Sequence, residues 1–215
     1  MKEIWLIRHA QSTANAGAVT SLPETIPLTE RGVEQAKRVA SSFTKAPDLI
    51  VVSPFLRARE TAVPLLQRFP NVITQEWNVQ EFTYLATERC RNTTFDSRKP
   101  LVAEFWQRSE PDYCDGPGAE SFSHFVLRAK DMIEKLKTVD SEFIVVFTHG
   151  QLIQLTMWLL WHNIQKVSSE SMAAFRFFLQ AIQVPNGAII KLKFIDDEDQ
   201  LYFSGVITRH LGNDY

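Results

Sequence analysis

The sequence predicts an α/β fold, a three-layer sandwich in which helices flank a mostly parallel central sheet. Strand-like and helix-like segments alternate along the chain, as in folds built from strand–helix–strand units. Two of the strand-like segments, residues 49–52 and 143–147, are continuous apolar runs rich in β-branched residues. Such runs are typical of strands that are buried on both faces of a sheet.

The first elements follow from local signals. Residues 2–8 form an apolar strand, and Thr29 opens a helix whose apolar residues recur at helical spacing. After the run at 49–52, Ser53 followed by Pro54 predicts the N-cap and first turn of the next helix. We expect Pro64 to kink that helix or to end it early.

The rest of the chain continues the alternation and ends in a predicted antiparallel hairpin. The span 80–118 is the least regular part. Further strands are predicted at 71–77, 142–148, 188–194 and 201–208, and further helices at 100–108, 122–137, 150–161 and 168–182.

Length and composition indicate one globular domain. With 215 residues and no linker, repeat or low-complexity tract, we expect a single domain over residues 1–215. The irregular span 80–118 is interpreted as an insertion that covers one end of the sheet and the substrate. The sequence does not indicate an oligomeric state, although the C-terminal hairpin offers a sheet edge that could pair in a homo-oligomer.

Composition also excludes several classes of partner. The net charge of −2 gives no global basic field for nucleic acid. The most apolar run, residues 152–161, is too short to span a membrane, and the N-terminus lacks the pattern of a signal peptide. Cys90 and Cys114 have no metal-binding spacing and are predicted to be free thiols in a reducing compartment, so we expect a cytoplasmic protein.

Residues with chemical potential follow the predicted strands. Ligands of open α/β sheets bind beyond the carboxyl ends of the strands. Arg8 and His9 follow the first strand, Arg57 the second, Glu81 the third and His149 the fourth. Two arginines, two histidines and a carboxylate are therefore expected at one edge of the sheet, where they would suit an anionic ligand.

Each of these residues also has a structural interpretation. An Arg-His pair is a weak motif, and Arg209-His210 repeats it in the C-terminal tail, where we expect a structural or exposed role. Taken alone, Arg8-His9 also favours a structural turn histidine over a catalytic one. Arg57 is more specific because it lies in the first turn of a helix, where amide dipoles also favour an anion.

The combination of motifs resembles the histidine phosphatase (phosphoglycerate mutase-like) superfamily. In that family Arg-His-Gly-Glu/Gln-Ser/Thr is followed by Asn six residues after the histidine, and here Asn15 stands six residues after His9. The matching blocks occur in family order from residue 4 to about 190. They are LIRHAQSTAN, LTERGVEQA, SPFLRARETA, NVQEF, VVFTHG and VPNGAI.

The resemblance implies a phosphoglycerate mutase-like fold and a phosphohistidine mechanism. His9 would attack the phosphorus of a small phosphorylated substrate, and Glu81 would protonate the leaving group and later activate water. No metal and no cofactor are implied. The phosphate-binding residues implied by the resemblance are Arg8, Asn15, Arg57, His149 and Gly150.

Departures from the family pattern favour the phosphatase-type branch. Ala10 stands where most members have glycine, which is tolerable unless that residue needs a positive φ. Gln11 replaces the glutamate of the mutases, and Phe82–Leu85 replaces their Arg-x-Tyr-Gly-type stretch. Alternatives are a phosphoglycerate mutase-type phosphotransferase, a non-catalytic phospho-ligand-binding module, and a metal hydrolase, for which no local ligand pair is present.

Substrate identity is expected to depend on the span 80–118. Its aromatic residues are candidates for an apolar wall, and its cations are candidates for binding a second acidic group. A surface lid with solvated charges is the alternative interpretation. The aromatic candidates are Phe82, Tyr84, Phe95, Phe105 and Trp106, and the cationic candidates are Arg89, Arg91, Arg98 and Lys99.

Overall fold

The computed structural model describes residues 1–162 and 164–212 and contains one six-stranded sheet with helices on both faces. The strands are β1 (Lys2–Arg8), β2 (Leu49–Val52), β3 (Ile73–Glu76), β4 (Phe143–Thr148), β5 (Ile189–Ile195) and β6 (Gln200–Ile207). The helices are α1 (Glu30–Ser41), α2 (Leu56–Arg68), α3 (Thr87–Cys90), α4 (Phe95–Arg108), α5 (Phe122–Thr138), α6 (Gly150–Trp161) and α7 (Ser169–Ala181).

The sheet is mostly parallel, as predicted. Its strand order is β3-β2-β4-β1-β5-β6, with the first four strands parallel and β5 and β6 forming the predicted antiparallel hairpin. Strand β4 pairs with β2 on one side and with β1 on the other, so Phe147 lies beside Val52 and Thr148 beside Arg8. The carboxyl ends of these three strands are therefore neighbours.

Two apolar clusters pack on opposite faces of the sheet and account for the three layers. Every residue of β2 and β4 is buried, which confirms the interpretation of their continuous apolar sequences. Along β1 the side chains alternate, because Ile4 and Leu6 belong to one cluster and Trp5 and Ile7 to the other. In the described residues no helix is long and apolar enough to cross a membrane.

The prediction of Ser53 as an N-cap is wrong. Helix α2 begins at Leu56, and its N-cap is Phe55, which forms no side-chain cap. The Ser53 hydroxyl instead lies 2.8 Å from Nε2 of His149, a residue distant in the sequence. Pro64 does not end the helix early, since α2 continues to Arg68.

The span 80–118 contains two helices rather than one. Helix α4 begins before the predicted position because Thr94 and Ser97 form a capping box that fixes its first turn ahead of Pro100. The short helix α3 precedes it. Residues from both helices line the cavity at the carboxyl edge of the sheet, among them Cys90 and Val102.

Candidate active site

The predicted site residues meet at the carboxyl ends of β1, β2 and β4, around a cavity of about 460 Å³. The cavity wall includes most of them, whereas His149 is fully buried behind His9, with the two ring centroids 5.1 Å apart. The predicted residues that line the cavity are Arg8, His9, Asn15, Arg57, Glu81 and Gly150.

Hydrogen bonds fix the orientation and the tautomer of His9. Its Nδ1 lies 2.7 Å from the carbonyl oxygen of Ala10, which only accepts, so Nδ1 carries the proton. Its Nε2 accepts a hydrogen bond from Nε of Arg57 at 3.1 Å. The ring is therefore a neutral imidazole with its lone pair on Nε2, on the side of the arginines.

The electrostatic environment keeps His9 neutral. Burial, followed by the positive charges of Arg57 and Arg8, lowers the pKa of His9 well below its usual value. The hydrogen bond to Ala10 opposes this shift. A histidine that stays unprotonated can act as a nucleophile or as an acceptor at neutral pH.

Ala10 fits the turn without strain. It is fully buried, its N–H donates to Oγ1 of Thr61 at 3.0 Å, and it is not among the described non-glycine residues with positive φ. The backbone of the neighbouring residue Gln11 packs closely against helix α1 at Gly32. A Cβ at Gly32 would lie 2.1 Å from the carbonyl oxygen of Gln11, so only glycine permits this packing.

The two arginines are anchored by backbone carbonyls and keep donors for a ligand. Arg8 donates through Nη1 to the carbonyl of Val184, and its buried Nε has no partner in the described part of the chain. Arg57 donates through Nη1 to the carbonyl of Pro23 at 2.6 Å. Burial lowers the pKa of Arg57 to about 10, with Glu81 opposing the shift. Arg57 therefore remains charged at neutral pH.

Gly150 makes room for Arg8. A Cβ at Gly150 would lie 3.3 Å from Nε of Arg8, closer than side chains usually pack, and in ordinary contact with Cζ at 3.5 Å. Gly150 itself lines the cavity, and the atoms nearest to a Cβ built on it belong to the Arg8 side chain.

Glu81 lies at the N-terminus of helix α6. Its carboxylate accepts hydrogen bonds from the backbone N–H of Gln151 at 3.1 Å and from that of Phe82 at 3.1 Å. These bonds hold the carboxylate at the wall of the cavity that Arg8 and Arg57 also line.

An ion pair that the sequence analysis missed fixes the loop before Glu81. Arg128 forms a double hydrogen bond with Glu120, at 2.9 and 2.6 Å. Its Nη1 also donates to the carbonyls of Asn78 and Gln80, at 3.1 and 2.9 Å. Arg128 thereby links helix α5 to the backbone that carries Glu81.

His149 is a buried donor oriented by Ser53. The Ser53 hydroxyl accepts from the N–H of Phe55 at 3.3 Å, and in the described residues its own proton has His149 Nε2 as acceptor. The proton of His149 is then on Nδ1, a buried atom with no partner in the same part of the chain. Burial and the charge of Arg57 lower the pKa of His149 well below its usual value.

Asn15 keeps its amide N–H donors for the cavity. Its Oδ1 is occupied by the Ser12 backbone at 3.1 Å, the Ser12 hydroxyl at 3.0 Å and Nδ2 of Asn186 at 3.1 Å. Asn186 also donates to the carbonyl of His9 at 2.9 Å. Asn186 lies in the VPNGAI block but was not predicted as part of the site.

The second Arg-His pair is structural. Nε2 of His210 lies 2.9 Å from the carbonyl oxygen of Gly187, and Arg209 is exposed. Neither residue lines the cavity beside His9.

The histidines predict a pH dependence of stability. Because folding lowers the pKa of His9 and His149 below 6.5, the unfolded chain binds protons below about pH 6.5 that the folded chain does not. As the pH falls below about 6.5, the free energy of unfolding should decrease, by up to about 1.4 kcal/mol per pH unit for each histidine. Above that range both histidines are neutral in the folded and the unfolded chain, so this loss of stability is absent.

Urea unfolding at about pH 5 and pH 7.5 measures this dependence. In the His149→Gln variant the difference in the free energy of unfolding between the two pH values should be smaller, by the contribution of one histidine. Equal pH dependence in the variant and the wild type would show that His149 is not the source.

The fold and the site together define an α/β protein that can bind an oxyanion beside a neutral histidine. The sequence supplies the family: the histidine phosphatase superfamily (branch 1) matches residues 4–202, and the chain belongs to that superfamily. The resemblance derived from the motifs is thereby confirmed.

Comparison with individual proteins agrees. The chain is 28% identical over 173 residues to the adenosylcobalamin/alpha-ribazole phosphatase of Salmonella typhimurium, covering 74% of this chain and 83% of the relative. The phosphoserine phosphatase of Entamoeba histolytica, solved with 3-phosphoglyceric acid, has a TM-score of 0.72 at 19% identity, over 98% of this chain and 100% of the other. The alpha-ribazole phosphatase of Shigella flexneri has a TM-score of 0.70 at 21% identity, over 96% of each chain. These structures confirm the phosphoglycerate mutase-like fold.

Proposed function

We propose that the protein is a phosphatase that hydrolyses a small organic phosphomonoester through a phosphohistidine on His9. The observation that carries this proposal is the neutral His9 ring, whose Nε2 lone pair faces the buried guanidinium of Arg57. A phosphoryl group bound by Arg8 and Arg57 would lie in front of that lone pair.

In the first step, Nε2 of His9 attacks the phosphorus and the bond between phosphorus and the ester oxygen breaks. Glu81 in its protonated form gives its proton to the leaving oxygen. Arg8 and Arg57 stabilise the charge on the transferring group, which is the main requirement of phosphoryl transfer. The Nδ2 donors of Asn15 are further partners for the phosphoryl oxygens, whereas the buried His149 does not line the cavity and acts through its contact with the His9 ring.

In the second step, water attacks the phosphorus of the phosphohistidine while the Glu81 carboxylate takes one of its protons. The bond between phosphorus and Nε2 breaks, inorganic phosphate leaves, and His9 returns to its neutral form. Glu81 is then protonated and ready for the next substrate.

Hydrolysis is favoured over transfer to a second hydroxyl by two observations. The relatives and structural neighbours described above are named phosphatases. The segment Phe82–Leu85, which would grip a phosphoglycerate in a mutase, is mostly apolar here. We propose that the span 80–118 covers the substrate, since Thr83, Tyr84 and Arg98 from this span line the cavity.

The experiment that tests the proposal measures phosphate release from p-nitrophenyl phosphate, sugar phosphates, phosphoglycerates, phosphoserine and nucleotides. Phosphohydrolase activity gives one inorganic phosphate for each alcohol released. A mutase would isomerise a phosphoglycerate without releasing phosphate, and a binding module would bind the esters without turnover.

Chelation should leave the rate of phosphate release unchanged. The charges of Arg8 and Arg57 supply the neutralisation that a metal ion supplies in other phosphatases. In the described residues no group of three or more His, Cys, Asp and Glu side chains could hold a metal ion. Phosphate release is measured after dialysis against EDTA, with and without added Mg²⁺ or Zn²⁺. A large loss that the metal restores would favour the metal-hydrolase alternative.

We also propose that the protein acts in the cytoplasm. Cys90 and Cys114 are both free thiols, which suits a reducing compartment.

A further inference from the structure

One cation on the cavity wall is not used by the proposed chemistry. Arg8, Arg57 and Glu81 take part in the proposed chemistry. The remaining charged residue that lines the cavity in the described chain is Arg98 of helix α4. Arg98 is half-buried and forms no salt bridge with any acidic residue that the structure describes. A half-buried guanidinium without an anionic partner is a binding group for an anion.

The neighbouring cations of the same span are already paired. Arg89 contacts Asp115 and lies 3.5 Å from Glu104. Arg91 pairs with Glu88 at 2.9 Å, and Lys99 pairs with Asp96 at 2.6 Å. Of the four cations that the sequence offered for a second acidic group, Arg98 is the one that faces the cavity.

Hydrogen bonds to two threonines fix Arg98 at the cavity wall. Residues Thr20 and Thr93 pair there through backbone hydrogen bonds of 3.0 and 3.3 Å. Nη1 of Arg98 donates to Oγ1 of Thr93 at 2.8 Å and lies 3.5 Å from Oγ1 of Thr20. Its Nε and Nη2 form no hydrogen bond with the described residues and remain available to a ligand.

Tyr84 lines the same cavity as Arg98 and the proposed phosphate-binding arginines. Burial is the main cause that raises the pKa of Tyr84 to about 12; the hydrogen bond with Gln151 and the charge of Arg98 act in the opposite direction, and the charge of Glu81 acts with burial. The wall around Tyr84 is largely apolar, with Phe82, Leu85 and Val102. Phe105 and Trp106, predicted for this wall, are buried in the core behind it.

We propose that Arg98 binds a second anionic group of the substrate. The preferred substrates are then phosphomonoesters with an apolar body that lies along Tyr84 and a carboxylate at the end remote from the phosphate. This inference rests on the proposed function, because it takes the phosphate to be bound by Arg8 and Arg57.

The test compares two matched esters, carboxyphenyl phosphate and carbamoylphenyl phosphate, each as the meta and para isomer. The ratio of their kcat/KM values is compared between proteins, so differences in intrinsic reactivity cancel. For at least one isomer, Arg98→Gln should lower the ratio by about 10- to 100-fold, the usual effect of losing a charge-assisted hydrogen bond. Arg98→Lys should restore part of the ratio, and Arg98→Glu should lower it below that of Arg98→Gln.

Lys99→Gln is the matched control, because it removes an exposed positive charge from the next position of the same helix. It should keep the wild-type ratio. A ratio that is unchanged in Arg98→Gln for both isomers would overturn the proposal, as would the same drop in Lys99→Gln. A purely structural role for Arg98 would lower the rate with both esters and leave the ratio unchanged.

The same ratio is measured as binding affinity in the His9→Ala background, by calorimetry with the intact esters. If wild-type protein releases no phosphate but the affinity ratio depends on Arg98, the proposed hydrolysis fails and the anion site stands. If phosphate is released and neither ratio depends on Arg98, the anion site fails and the proposed function stands.

Discussion

Replacing His9 with alanine is expected to lower the rate of phosphate release from p-nitrophenyl phosphate by at least about 10⁴-fold, as loss of a nucleophile does in other covalent mechanisms. The reason is that no other described ring nitrogen combines an unprotonated lone pair with a position on the cavity wall beside Arg8 and Arg57. His149 does not substitute for it, because its ring is fully buried.

Two measurements establish the cause of the loss. Rapid quenching of wild-type protein during turnover of a phosphate-labelled ester should trap an acid-labile, alkali-stable label on the chain, and His9→Ala should carry none. Thermal unfolding should show that the variant is folded. A variant that keeps more than a few per cent of the wild-type rate would refute His9 as the nucleophile.

His210→Ala is the matched control, since it alters the other Arg-His pair of the chain. Its loss removes a hydrogen bond to Gly187 and should cost about 1 kcal/mol of stability. The rate of phosphate release should stay within about twofold of wild type because His210 does not line the cavity. A loss like that of His9→Ala would mean that the wrong pair was chosen.

Much of the fold was predictable because its signals are local. The apolar runs that form β2 and β4 are short and continuous, and burial on both faces leaves no room for polar residues in them. The carboxyl ends of parallel strands share one edge, so Arg8, His9 and His149 could be brought together before any coordinates were known.

What was not predictable depends on contacts between distant parts of the chain. Ser53 resembles an N-cap by its local sequence, yet its partner His149 is 96 residues away. Arg128 resembles an exposed helix charge until the loop at 78–80 is seen to accept its hydrogen bonds. Local patterns carry no information about such pairings, because the first arises only when β2 and β4 pair and the second only when α5 packs on the loop after β3.

The cations that were candidates for binding a second acidic group show the same limit. Four cations of the span 80–118 look equivalent in sequence, and only their ion pairs distinguish them. Arg91 and Lys99 pair with acidic residues three positions away, a spacing that the sequence contains. Arg89 pairs with Asp115, 26 residues further along the chain, and Arg98 is the one of the four that lines the cavity.

Replacing Glu81 with glutamine should slow the first step in proportion to the basicity of the leaving group. Glutamine keeps the shape and can still accept the hydrogen bonds of Gln151 and Phe82 through its carbonyl oxygen. It cannot give a proton to a leaving alkoxide. For an alkyl phosphate we therefore expect a loss of about 10²- to 10⁴-fold in kcat/KM. For p-nitrophenyl phosphate, whose leaving group needs no proton, the loss in kcat/KM should be much smaller.

The decisive measurement is a series of aryl and alkyl phosphates with leaving groups of increasing pKa, assayed with wild-type and Glu81→Gln protein. The rate of the variant should fall steeply along the series, whereas that of the wild type should change little, because Glu81 offsets the poor leaving groups. Glu88→Gln, an exposed change in helix α3, is the control and should follow the wild type. Parallel dependences in Glu81→Gln and wild type would exclude Glu81 as the proton donor and restrict it to a binding role.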